Sequence, residues 1–161
     1  HRAHTRILYE DLMKSITMDS APCQQLLFPL EMEFSSADFQ ILSDVQEALV
    51  LIGFSFEKWE DNEALISGIP SHVKESEIAS MIDQMVADMR MGITKKKFEQ
   101  NDIMAKSLAR NMAIKSGRVL NTEEQQDLIN QLFTCKEPTK TATNQNIFIN
   151  FAHQDFENKL L

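Results

Sequence analysis

Apolar residues recur at three-to-four spacing over residues 2–17. Ala3, Ile7, Leu8, Leu12 and Ile16 share one face with charge between them, which predicts a helix. MDSAPC then breaks the pattern with Asp, Ser and Pro. LLFPLEMEF alternates with period two. Phe28, Leu30, Met32 and Phe34 face one way and Pro29, Glu31 and Glu33 the other, as in a half-buried strand. Proline donates nothing to a ladder, so Pro29 places this strand at a sheet edge. Ser35 is a natural N-cap with Asp38 in the first turn. The helix it opens carries Ile41, Leu42, Val45, Leu49 and Ile52, and it ends at Gly53. FSFEKW and ALISGI read as two strands joined by the turn EDNE.

The second half is mostly helical. SEIASMIDQMVADMRM places Ile78, Met81, Ile82, Met85, Val86 and Met89 on one face. Methionine is an adaptable filler, so this stripe is expected in the core rather than at a site. NDIMAKSLARNMAIKSG predicts a helix closed by Gly117, and its stripe of Ala105, Leu108, Ala109 and Met112 admits close approach of another backbone. In LNTEEQQDLINQLF, Asn121 fits an N-cap with Glu124 three residues on. Leu128, Ile129, Leu132 and Phe133 form that helix's apolar side. After a polar loop, NIFINF reads as a strand and HQDFENKLL as a short final helix. Helices and strands in this order make an α+β fold, without the regular βαβ alternation of a parallel sheet.

Composition narrows the function. At 161 residues the chain is one domain or two small lobes. The net charge of −8 makes it a poor stand-alone nucleic-acid binder, since Lys95-Lys96-Lys97 is the one dense basic cluster and is short enough to be a solvated run. Any DNA contact is expected to be weak or indirect. Cys23 and Cys135 lie far apart with no CxxC spacing, which points to a reducing cytoplasm. No apolar run reaches the roughly 20 residues that span a bilayer, so no membrane is expected. GxSxG, HExxH and GxxxxGK[ST] patterns do not occur. The chain opens inside an apparent helix, as a piece of a longer protein would.

Several segments, in order, resemble the C-terminal domain of the DNA mismatch-repair family MutL. HRAHTRILYEDL resembles the helix that follows Asp-Gln in that family and reads HAxHERxxYE. QQLLFPLEMEFS, EALVLIGFSFEKW, SLARNMAIKSGRVLNTEEQQDLINQLFTC and FENKL resemble later segments, so that nearly the whole chain is covered. The resemblance implies a two-lobed α+β domain. Residues 1–19 and 100–161 would form a dimerisation lobe and 20–99 an inserted external lobe. It also implies a homodimer that works with other mismatch-repair proteins. ATP hydrolysis would belong to an N-terminal domain outside this chain, so no cofactor is expected in this domain.

Many members of the family nick DNA at a metal site built from DQHAxxExxxxE, an Ala-Cys-Arg/His segment and a CPHGRP-like loop. Metal-assisted hydrolysis needs anionic or imidazole ligands converging on an ion with one position open. Here His1 matches the motif histidine and Glu10 the second glutamate, but Thr5 stands at the first glutamate. Arg110 stands at the cysteine, where its permanent charge repels a divalent ion. The loop aligns with about 141–146, without Cys or His. The resemblance thus implies a degenerate endonuclease motif, and His1 and His4 read as polar residues packing at a surface. The alternative is a divergent metal-dependent nicking endonuclease using ligands such as His1, His4, Glu10 and His153.

Gln24-Gln25-Leu26-Leu27-Phe28-Pro29 fits Qxx[LI]xP, which in MutL relatives resembles a docking site for the replication sliding clamp. Gln24 would meet a pocket mouth, Leu27 would fill the pocket and Pro29 would hold the strand extended at low ordering cost. The plainer reading is a strand entry that buries Leu27. For the dimer surface, Ile147, Ile149 and Phe151 are the candidates, with the helices around 103–116 and 123–133.

Overall fold

The structure is a computed structural model that describes residues 1–18, 20–71, 73–92 and 96–150. Its order is α1 (Arg2–Thr17), β1 (Cys23–Glu33), α2 (Ser36–Asp44), α3 (Gln46–Leu51), β2 (Ser55–Glu60), β3 (Glu63–Pro70), a 3-10 turn (Glu75–Glu77), α4 (Ile78–Met91), α5 (Lys97–Met112) and α6 (Thr122–Thr134). The strands form one antiparallel sheet in the order β1-β3-β2. Asp61 and Asn62, at φ 55° and 65°, make the β2–β3 turn with both central residues left-handed, as a two-residue hairpin favours.

One buried cluster runs through the molecule. It joins Leu8 and Leu12 of α1, Leu42, Leu49 and Phe54, Ile66 of β3, the whole predicted α4 stripe, and Met104, Ala105, Leu108 and Ala109 of α5. Ala105, Leu108 and Ala109 are fully enclosed, so α5 is the spine on which α1 and α4 both pack. Gly53, at φ +104°, lets the chain turn from α3 into β2. A Cβ there would lie 2.8 Å from the Pro22 carbonyl oxygen.

The structure departs from the sequence pattern in four places. First, β1 bulges. Between the Gln25–Gly68 and Leu30–Ile66 pairs, four residues of β1 stand opposite the single Ser67 of β3. The bulge restores Leu26, Leu30, Met32 and Phe34 to the core side but turns Phe28 out, 75% exposed. Second, the helix expected to run to Gly53 breaks at Val45 (φ −115°, ψ 8°), whose N–H returns to Leu42 O at 3.1 Å. The break keeps Leu42, Val45 and Leu49 all enclosed. Third, α5 stops at Met112, well before Gly117. Both backbone groups of Ile114 are taken by histidine rings, which removes them from the helical ladder. Gly117 does adopt φ +90°, in the turn beyond. Fourth, residues 147–150 join no strand among the described residues. The segment has one isolated bridge, Lys140 to Asn146. The expected final helix lies outside the described residues.

Candidate functional site

The site begins with α1. Ile7, Leu8 and Leu12 bury its apolar face, leaving its polar residues aimed at the second half of the chain. His1 Nδ1 lies 3.0 Å from Ile114 O, and the Ile114 N–H donates to His4 Nδ1 at 2.9 Å. A carbonyl only accepts, so His1 carries its proton on Nδ1, whereas His4 must leave Nδ1 bare. The two rings thus grip one peptide segment from both sides. Thr5 Oγ1 donates back to His1 O at 3.0 Å.

A cavity of about 410 Å³ gathers the parts that the family motif would need. His1 enters from just before α1, Thr5 from α1, Arg110 from α5, and Thr141 and Thr143 from the loop, with Asp88 arriving from α4. Asp88 is the counter-ion of Arg110 and also accepts from Ser107 Oγ at 2.6 Å and Gln84 Nε2 at 3.1 Å. Partial burial pushes its carboxyl up. The Ser107 and Gln84 hydrogen bonds and the Arg110 charge outweigh that and hold its pKa below the ordinary aspartate value. A divalent cation would meet one carboxylate, already held, among guanidinium and hydroxyl groups. Among the described residues, no group of three His, Cys, Asp or Glu is arranged to hold a metal. This donor set does not fit the metal that the family motif implies.

Glu10 is not in that cavity. Its carboxylate accepts the N–H groups of Lys136 at 2.7 Å and Glu137 at 3.1 Å, just beyond α6. Arg6, 8% exposed, donates from Nε to Lys140 O at 2.5 Å and lies 3.4 Å from Glu10. A buried guanidinium costs free energy unless paired, and here it has a carboxylate, a carbonyl and the Tyr9 ring at 5.6 Å. Tyr9 donates to Asp102 at 2.6 Å, and burial together with that carboxylate raises its pKa. Burial, with Glu10 and Asp11 nearby, pushes the Cys135 thiol up to about 11, which keeps it protonated at neutral pH. His1, Thr5 and Arg110 therefore converge, Glu10 serves a different contact, and His153 lies outside the described residues.

Two surfaces complete the picture. Gln24, Leu27 and Pro29 all lie exposed on or beside the β1 bulge, Leu27 at 86%. Elsewhere, α6 leaves Ile129 49% and Phe133 61% exposed, while the Phe133 ring packs at 5.6 Å on Phe148, tilted by 52°. Ile149, next to Phe148 in sequence, is 65% exposed and Ile147 is half-buried. Phe151 lies outside the described residues. The α5 stripe of Ala105, Leu108 and Ala109 faces inward, so of the predicted dimer elements α6 and the 147–149 segment carry exposed apolar groups. Sequence spacing missed Asp88, which sits on a core helix between Val86 and Met89 with no motif to mark it. It also missed Arg6, whose burial depends on a loop over 130 residues away.

If Glu10 holds backbone rather than substrate or metal, Glu10→Ala leaves two amides and a buried guanidinium short of a partner. The expected loss is about 1–3 kcal/mol of stability by urea unfolding without added metal. An unchanged midpoint would remove this structural role.

A family model described as MutL C terminal dimerisation domain matches residues 1–120. The DNA mismatch repair protein MutL of Christiangramia forsetii is 43% identical over 99% of the chain and 26% of its own length. Those of Flavobacterium johnsoniae and Flavobacterium psychrophilum are each 39% identical, over 99% and 98% of the chain and 25% and 26% of their lengths. The chain thus spans about a quarter of these curated relatives. With 120 matched residues and this degree of identity along its whole length, the chain belongs to the family of MutL C-terminal dimerisation domains.

Proposed function

We propose that this domain joins two copies of a mismatch-repair protein and docks partners, without nicking DNA itself. The observation that carries the reading is the exposed apolar group on α6 and the following segment: Ile129, Phe133 and Ile149. Large apolar side chains left exposed on α6 and on the segment that packs against it through Phe133 and Phe148 are what a partner copy would cover. The division into a dimerisation lobe (1–19 and 100–161) and an external lobe (20–99) belongs to this proposal. It is supported by the packing of α1 on both α5 and α6. In this reading the domain works in the cytoplasm with other mismatch-repair proteins and needs no cofactor of its own. Among the described residues, no helix is long and apolar enough to cross a membrane.

Docking to the sliding clamp is supported by the β1 bulge. The plainer reading needs Leu27 inside, yet Leu27 and Phe28 stand out at 86% and 75% exposure on an edge strand. An extended peptide with an aliphatic and an aromatic group already outside loses little freedom on binding. The nicking alternative has the convergence of His1, Thr5, Arg110 and the loop in its favour and the donor set against it.

Sedimentation velocity at micromolar concentration is expected to give twice the chain mass, since a stable interface buries more than about 1,200 Å². Phe133→Glu with Ile149→Glu is expected to yield monomer with unchanged circular dichroism. A monomeric parent, or a double variant that stays dimeric, would contradict the reading. Gln24→Ala with Leu27→Ala is expected to abolish clamp binding by surface plasmon resonance and to shift stability by no more than about 0.5 kcal/mol, because both side chains are exposed. Clamp binding equal to the parent's would end the docking proposal.

A further inference from the structure

Between Gly68 and Ile66 of β3 the register slips on both sides at once. On the β1 side, Gln25 faces Gly68 and Leu30 faces Ile66; on the β2 side, Ser55 faces Gly68 and Phe56 faces Ile66. Ser67 therefore has no partner in either neighbouring strand. Its hydroxyl instead lies 3.0 Å from Ser55 Oγ. We propose that the line of side chains from Ser67 through Ser55 and Cys23 to Gln25, laid over Gly68, positions the 24–29 segment for its partner. This inference rests on the docking reading of that segment and names the residues that hold it in its presented form.

The contacts have one consistent direction. Gln25 Nε2 donates to Cys23 Sγ at 3.6 Å, and the Cys23 thiol donates to Ser55 Oγ at 3.7 Å. Ser55 then gives its own hydroxyl hydrogen to Ser67. Each bond is modest, since sulfur is a weak donor and acceptor. Their value lies in linking all three strands where both ladders are interrupted. Gly68 makes this possible. A Cβ there would collide with Cys23 Sγ and Ser55 Oγ and lie 3.2 Å from Gln25 Nε2. Gly68 is not among the glycines with positive φ, so what needs glycine here is the close approach of side chains and not backbone freedom.

The two flanks of the β1 bulge are held differently. On the far flank, Leu30, Met32 and Phe34 pack against the core, and burial fixes their register. On the near flank, Cys23, Gln24 and Gln25 are all exposed, so no burial of their side chains selects a register. Just upstream, Pro22 O accepts from Ser71 Oγ at 3.3 Å. The chain is thus tied at both ends, and what remains to be set is its division between ladder and bulge. One residue of slip on the near flank would turn Gln24 to the opposite face of the sheet while Leu27 stayed out in the bulge. A partner that reads the Gln24 amide and the Leu27 side chain together needs one fixed relation between them. Anchoring Cys23 and Gln25 on one face leaves Gln24, between them, on the other.

The test measures affinity for the purified clamp by surface plasmon resonance beside the urea-unfolding midpoint of the same samples. Gly68→Ala pushes the Cys23 and Ser55 side chains aside, and it is expected to weaken clamp binding about threefold to tenfold with the midpoint retained. Ser67→Ala is expected to weaken binding by a similar factor, whereas Ser67→Thr, which keeps the hydroxyl, is expected to bind like the parent. In a Gln24→Ala background, Gly68→Ala is expected to add nothing, because it acts through Gln24. Gly68→Ala and Ser67→Ala chains that both bind like the parent would overturn the proposal. So would losses that add fully to that of Gln24→Ala, or losses that only follow a lowered midpoint. A parent chain that does not bind the clamp contradicts the docking reading itself and takes this inference with it, so the two failures are told apart by the parent's own affinity.

Discussion

The architecture depends on a set of polar contacts from one helix to backbone far along the chain. On α1, His1 and His4 hold the peptide groups of Ile114, Glu10 holds the amides of Lys136 and Glu137, and Arg6 holds the carbonyl of Lys140. The apolar face of α1 alone would fix it against α5 but would not define where the later segments run. Each polar contact satisfies a backbone group where α5 or α6 has ended and no intrahelical partner exists. These links are long-range, and they are made by the residues that look like motif chemistry in the sequence.

That double appearance explains what the residues mean. A histidine pair and a glutamate on one helix suggest ligands, and the cavity does bring His1, Thr5 and Arg110 together with the 141–145 loop. The convergence fits descent from a common site plan. The groups delivered there are the Thr5 hydroxyl, the Arg110 guanidinium with its counter-ion Asp88, and two threonines, and the glutamate is turned to a different segment. The scaffold does not depend on which groups line the cavity, since it rests on the backbone contacts of α1 and on the α5 core.

Much of the fold was legible because it is local. The α4 stripe from Ile78 to Met89 is buried as its period requires, and the Asn121–Glu124 capping box forms with both reciprocal bonds. Pro29 sits on an edge strand as its missing N–H demands. What the pattern did not reveal is set by tertiary partners. The early end of α5 follows from histidines more than a hundred residues away. The outward Phe28 follows from a bulge that alternation alone cannot encode, because a single slip of register moves every later side chain to the other face. In the candidate site, the positions of Thr5 and Arg110 were legible through the motif. The Asp88 counter-ion was not, since an aspartate on the polar edge of a core helix carries no periodic signal.

The central proposal is that the polar groups of α1 hold the chain together and do not cut DNA. Its most direct test is a nicking assay on supercoiled plasmid, with the purified chain and Mn²⁺ or Zn²⁺ over a range of concentrations. The account predicts that the plasmid remains supercoiled at every metal concentration. Metal-dependent conversion to open circle that co-purifies with the chain and disappears in Glu10→Ala would contradict it.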